Sequence, residues 1–174
     1  MTIARVAPAE LRTKRLVGCK PVPSDIACFR VLDANPEIQK TLFGRTHTLE
    51  ESRERLRKFI AHWDAHGFGE WMFRLEGGDF VGTAGLFRDA IDGNDVVALG
   101  YVLDERFWGR GYATEMARAS LDVAFGDLAL DEVYAVIEPS NDASRRVLEK
   151  NGFTYQRDFV YRENWPSALF RVTR

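Results

Sequence analysis

Residues Leu99 to Glu115 read LGYVLDERFWGRGYATE. The run from Val96 to Leu103 predicts a strand, and Tyr112 to about Phe125 predicts a helix with Ala113, Ala117, Ser120, Leu121 and Ala124 facing inward. Between them, Gly109 and Gly111 flank Arg110 just where the helix begins. Glycine lets the backbone take positive φ and lets a ligand approach without meeting a Cβ. Such a loop at a helix start aims several unpaired N–H groups, and the positive end of the helix dipole, at one point. An anion, most often a phosphate or diphosphate, settles there without a basic cluster. A tight structural turn would leave the same local pattern, so the ligand class needs support from elsewhere in the chain.

Two phosphate-binding patterns fit poorly. A dinucleotide site needs G-x-G-x-x-G directly off a strand, with an acid ending the next strand to hold ribose. Glu138 could supply the acid, but Thr114 stands at the third glycine position and Asp104 to Trp108 intervene between the strand and Gly109. The G-x-x-x-x-G-K-[ST] phosphate loop is absent.

Outward from this loop, the chain reads as alternating hairpins and helices. Residues 1–13 are expected as a loose lead-in, followed by a strand over Arg15 to Val22 and a helix from an N-cap at Ser24 to about Asp33. Thr48 and Glu51 have capping-box spacing, and Leu49, Leu56, Phe59, Ile60 and Trp63 form the apolar stripe of a helix that Gly67 and Gly69 end. Glu70 to Leu75 and Asp79 to Phe87 predict strands joined by hairpin residues Glu76 to Gly78. Glu132 to Ile137 predicts a strand buried on both faces, closed by Pro139. A short helix over Asn141 to Lys150 and strands over Phe153 to Tyr161 and Ala168 to Val172 finish a single mixed α/β domain.

Composition bounds the function. The chain has 174 residues, enough to bury one sizeable core, and 24 basic against 26 acidic residues leave no positive excess to draw it to nucleic acid or anionic membrane. Cys19 and Cys28 are too few for a disulfide framework and lack the spaced partners of a zinc site, which fits a reducing, cytoplasmic setting. There is no apolar signal core and no window approaching 18 apolar residues. His62 and His66 stand four apart on a helix, yet H-E-x-x-H and a third ligand are missing, so no metal is expected.

Two segments in order carry a resemblance: Leu99 to Glu115, and NDASRRVLEKNGF at Asn141 to Phe153. Together they resemble the acetyl-CoA-binding core of the GNAT superfamily of N-acetyltransferases, nearest to the branch that acetylates the N-termini of ribosomal proteins. The likeness extends more faintly through TKRL at Thr13 to Leu16, the helix containing EESRERLRKF, Gly67 to Trp71, and VGTAGL at Val81 to Leu86. It implies a largely antiparallel sheet of about six to seven strands flanked by about four helices, with a splayed strand pair holding the cofactor. It also implies an acetyl-CoA-dependent transfer to a primary amine, a protein N-terminus or a small molecule, in a ternary complex. Acetyl-CoA and the amine are the expected partners, with a homodimer allowed and neither metal, nucleic acid nor membrane involved.

Carried over by position, the resemblance has Tyr101, Val102 and Leu103 pair with the pantetheine arm through backbone groups. The amides of Trp108, Gly109, Arg110, Gly111, Tyr112 and Ala113 would hold the diphosphate; Trp108 stands where the wider superfamily usually has Gln or Arg. Asn141 would reach the arm and Ser144 would lie beside the sulfur. Much of the superfamily protonates the departing thiolate with a tyrosine seven residues beyond that asparagine, and this chain has Leu148 there. Ser144 occupies the position of the serine proposed as acid in the ribosomal-protein branch, although Asn141 as N-cap and Ser144 as third helical residue would also be explained by capping alone. Glu163 matches the branch's base, with Glu70, beside Gly69 and Trp71, as second candidate. The exposed surface is the ordinary place for a glutamate such as Glu163. Trp165, before Pro166, would border the acceptor site. The competing class is a non-catalytic acyl-CoA-binding module, which a missing tyrosine at 148 would suit.

Overall fold

A computed structural model describes residues 5–42, 44–162 and 164–174. Among them run β1 (Glu10–Arg12), β2 (Leu16–Cys19), α1 (Ile26–Asp33), α2 (Pro36–Gln39), α3 (Leu49–His66), β3 (Glu70–Leu75), β4 (Phe80–Ile91) and β5 (Asn94–Leu103). Then follow α4 (Tyr112–Phe125), β6 (Glu132–Ile137), α5 (Asp142–Lys150), β7 (Thr154–Tyr161) and β8 (Trp165–Thr173). The strands form one sheet in the order β1-β2-β3-β4-β5-β6-β8-β7. Every neighbouring pair is antiparallel except β5 with β6.

That exception positions the site. The β5 and β6 strands pair in register only at Ala98 and Tyr134, whereas β6 and β8 pair along six residues, Glu132 to Ile137. The edge of β5 from Gly100 to Leu103 is therefore paired only with β4 and left open toward β6. The mixed sheet is as expected, with eight strands and five α-helices among the described residues where six to seven and about four were expected. The additions are short: β1 lies in the supposed lead-in and is ordered by pairing Glu10 to Arg12 with Val17 to Cys19, and α2 is one turn capped by Asn35.

Local signals explain the helix ends. At α3 the Thr48 hydroxyl accepts from the Glu51 amide and the Glu51 carboxylate accepts from the Thr48 amide, while Gly67, at φ 71°, ends the helix in the left-handed conformation. Leu49, expected on the apolar stripe, is 45% exposed because it lies in the first turn, outside the packed contact. At α1, Pro23–Asp25 form a 3-10 turn before the helix, so the expected cap at Ser24 falls inside that turn. The β6 strand alternates between buried and partly exposed residues and so is not covered on both faces.

Two apolar clusters hold the sheet. One gathers Trp71, Phe73, Leu99, Met116, Leu121 and Phe170 around α4; the other gathers Phe29, Leu32, Leu56, Met72 and Phe80 around α1 and α3. Each large side chain so buried contributes about 1.5–3 kcal/mol before entropy is counted. On β5 the alternation of side chains sends Tyr101 into the α4 cluster and Val102 against the α1/α3 cluster.

Candidate active site

The chain leaves β5 through Asp104, whose buried carboxylate accepts from the Arg106 amide and caps a 3-10 turn, Glu105–Phe107. Gly109 and Gly111 then adopt φ 71° and 78°, and Gly111 is the N-cap of α4. A Cβ on Gly109 would meet nothing within 4 Å, so packing does not demand this glycine; the left-handed backbone does. Among the described residues, none accepts from the amides of Gly109, Arg110, Gly111, Tyr112, Ala113 or Thr114. Six donors stand unpartnered at the positive end of a 14-residue helix, which suits an anion such as a diphosphate. Trp108 departs from expectation: its amide already donates to the Glu105 carbonyl, closing the 3-10 turn, and its indole N–H donates to the Leu103 carbonyl at 3.1 Å. Only the half-exposed ring of Trp108 remains to border the loop.

Beside the open edge of β5 stands the start of α5. Asn141 caps it, its side-chain oxygen accepting from the Ser144 amide at 3.0 Å, so the capping explanation holds structurally. The same turn brings the Ser144 hydroxyl to 2.6 Å from the Tyr101 hydroxyl, which also donates to the Ser144 carbonyl at 3.1 Å. Burial pushes the Tyr101 phenol up, so it stays protonated and able to donate. Leu148, where the superfamily's tyrosine would be, is fully buried in the α4 cluster and fills core volume.

On the opposite face of β5 lies Glu70. Its backbone pairs with Gly85, which pairs with Gly100, so one row across three strands carries a carboxylate beside two residues without side chains. A Cβ at Gly85 would strike Glu70 Cα at 2.4 Å, and one at Gly100 would stand 3.3 Å from a Glu70 carboxylate oxygen. The glycines thus make the floor on which this carboxylate rests, next to the residue that precedes Tyr101. Burial raises the Glu70 pKa to about 7, against a hydrogen bond from Thr83 and the charge of Arg55, both of which lower it. Arg55 itself is ion-paired with the buried Asp33. Glu163, the other carboxylate singled out by sequence, lies outside the described residues.

The remaining candidates fall into structural roles. His62 Nδ1 donates to the Phe68 carbonyl at 2.9 Å and Nε2 accepts from the Arg88 amide at 3.0 Å, so one ring nitrogen ties α3 to the connection before β3 and the other to β4. Glu138, the supposed ribose acid, instead accepts from the Ser140 hydroxyl beyond the end of β6. Both line an open cleft of about 650 Å³ together with Lys40, Thr41, Trp165 and Pro166. Trp63, expected on the apolar stripe of its helix, and Trp71 are core residues packed edge to face at 5.3 Å. Sequence reasoning missed the Tyr101 hydroxyl, Arg15 and Glu115. Their contacts span 43 and 100 residues, and no local spacing signals them, although Arg15 lies within the TKRL segment.

An open strand edge leading to a set of unpartnered amides is an arrangement that suits an extended ligand carrying an anionic group. The sequence profile described as "Acetyltransferase (GNAT) domain" matches residues 15–154, and the chain belongs to that family. A Bacillus subtilis protein, YkkB, is 30% identical over 166 residues, covering 94% of this chain and 95% of its own length. The crystal structure of an acetyltransferase from Agrobacterium tumefaciens superposes with a TM-score of 0.83 at 28% identity, covering 97% of this chain and 96% of that one. The ribosomal L7/L12 alpha-N-protein acetyltransferase RimL, solved in complex with coenzyme A, shares the fold at TM-score 0.76 and 19% identity, covering 94% and 97%.

Proposed function

We propose that this acetyltransferase moves an acetyl group from acetyl-CoA to a primary amine, either a protein N-terminus or a small-molecule amine, by direct attack in a ternary complex. The observation that carries the reading is the set of six unpartnered amides at the head of α4, adjoining the unpaired edge of β5. The diphosphate rests on those amides and the pantetheine arm pairs along Tyr101 to Leu103, with the Asn141 side chain beside the arm. The thioester carbonyl then lies along β5, where a backbone N–H polarises it.

The amine nitrogen attacks the thioester carbon; a C–N bond forms, the C–S bond breaks, and the electron pair leaves with sulfur. The proton lost from nitrogen goes to Glu70. Its ordinary competitor, water, is a weaker base, and a carboxyl group titrating near 7 suits this task at neutral pH. Glu163 is the alternative carboxylate, distinguished by comparing Glu163→Gln with Glu70→Gln. On the other face of β5, turning the single Tyr101 proton from the Ser144 carbonyl to the Ser144 hydroxyl leaves the Ser144 proton free for the departing sulfur; serine then recovers a proton from solvent. A purely acyl-CoA-binding role is the competing class: Leu148 in place of the tyrosine suits it, while a carboxyl group titrating near 7 at Glu70 supports transfer.

The deciding experiment measures thiol release from acetyl-CoA with a panel of N-terminal peptides, amino acids and polyamines. Acetyl-CoA at a hundred times its Kd should stabilise the fold by about 2.7 kcal/mol through mass action and so raise the Tm. At least one amine should accelerate thiol release far above hydrolysis; stabilisation with no amine-dependent release would identify a binder. Ser144→Ala should lower kcat about ten- to a hundredfold with acetyl-CoA affinity within a few-fold. If Ser144 matters only to the helix end, the variant will lose stability with kcat per folded molecule unchanged, and the melting curve and the rate on one preparation distinguish the two.

A further inference from the structure

Arg15, between β1 and β2, reaches the loop from outside the segment that forms it. Its Nε donates to a Glu115 carboxylate oxygen at 2.6 Å and its Nη1 to the Arg110 carbonyl at 2.9 Å. The guanidinium lies over the Tyr112 ring, 4.2 Å from its centroid. Glu115, one turn into α4, is held in place by the Thr13 hydroxyl at 2.7 Å and the Arg15 amide at 2.9 Å. These bonds hold its carboxyl below the usual range against the opposing effect of burial, so it is a fixed anion that orients the fork. Nη2, the remaining arm of the fork, hydrogen-bonds to no described residue and is 3.6 Å from where a Cβ on Gly111 would stand. It therefore lies beside Gly111, among the residues whose amides are unpartnered. A planar guanidinium with one edge committed to protein and one left over is well suited to a phosphate oxygen.

Building on the acetyl-CoA reading above, we propose that Arg15 is a cofactor-binding residue that fixes the Arg110–Gly111 loop by its bond to the Arg110 carbonyl and presents Nη2 to the diphosphate of acetyl-CoA. A cation placed there adds charge to the neutral amides of the loop, whose own Arg106 is ion-paired with Asp104 and whose Arg110 guanidinium lies over the Phe107 ring.

The test is calorimetric and needs no turnover. Acetyl-CoA and S-acetylpantetheine, which lacks the diphosphate, are titrated into wild type, Arg15→Gln and Arg15→Lys. Expected for Arg15→Gln is a ten- to hundredfold weaker Kd for acetyl-CoA with that for S-acetylpantetheine within threefold, and a smaller difference from wild type in high salt. Arg15→Lys, which keeps the charge and loses the fork, should fold even if glutamine does not, and should fall between the two. Unchanged acetyl-CoA affinity in Arg15→Lys and Arg15→Gln, or equal losses for both ligands, would overturn the proposal while leaving the acetyltransferase reading intact. A wild type that binds no acetyl-CoA would overturn both.

Discussion

Replacing Glu70 with glutamine should cost roughly a hundredfold in kcat at pH 7 and at the same time make the protein more stable above neutral pH. The two effects have one origin. The carboxyl group is desolvated against a floor of glycines, which raises its pKa from 4.5 to about 7. Between those values the unfolded chain has released the proton that the folded chain retains, so stability falls as pH rises through this window. The full penalty, reached above about pH 7, is on the order of 3 kcal/mol for a shift of this size. Glutamine keeps the shape and the hydrogen bonding of the protonated acid and carries no such penalty. At pH 8 the variant should melt several degrees higher than wild type, and at pH 4 the two should coincide.

Activity runs the other way. The wild-type rate should rise as Glu70 ionises near pH 7; the variant should lack that limb and recover only as the acceptor amine, with pKa near 8 for an N-terminus, becomes neutral by itself. The deficit should therefore shrink with increasing pH. A variant that is stabilised at pH 8 yet as fast as wild type would remove Glu70 from the chemistry and turn attention to Glu163.

The second large effect concerns Gly111. Gly111→Trp should weaken acetyl-CoA binding at least a hundredfold, because a side chain built from that Cα projects toward the Arg15 guanidinium in the middle of the run of unpartnered amides. Part of any change will be backbone strain, since φ is 78° and a non-glycine residue in this region costs about 1–2 kcal/mol. Gly93→Trp supplies the control: its φ is also 78°, a Cβ there meets nothing within 4 Å, and it lies in the β4–β5 turn away from the loop. The two variants should lose similar stability, measured by denaturant midpoint, and only Gly111→Trp should lose affinity by calorimetry. Equal affinities would show that the loop is a turn and nothing more.

The sequence by itself determined the elements whose signals are local. Glu70–Leu75, Tyr112–Phe125 and Glu132–Ile137 lie where hydrophobic period and turn residues place them, and the capping pairs Thr48 with Glu51 and Asn141 with Ser144 form as their spacing requires. The two glycines before α4 are legible for the same reason: positive φ and free helix-start amides are properties of a few consecutive residues. Tertiary structure decided everything that depends on which distant backbones become neighbours. The β1 strand exists only because β2 pairs with it, and β8 begins at Trp165 rather than Ala168 because β7 supplies partners through Pro166 and Ser167. Trp108 spends its amide on a turn that no pattern of glycines reveals. The chemistry lies further still from local signals. Sheet order brings Glu70, Gly85 and Gly100 into one row, puts Tyr101 against Ser144 on the reverse face, and carries Arg15 across 100 residues to Glu115. A raised carboxyl pKa or a half-committed guanidinium is a property of the surroundings, and in this chain those surroundings are assembled only when the sheet closes over its two cores.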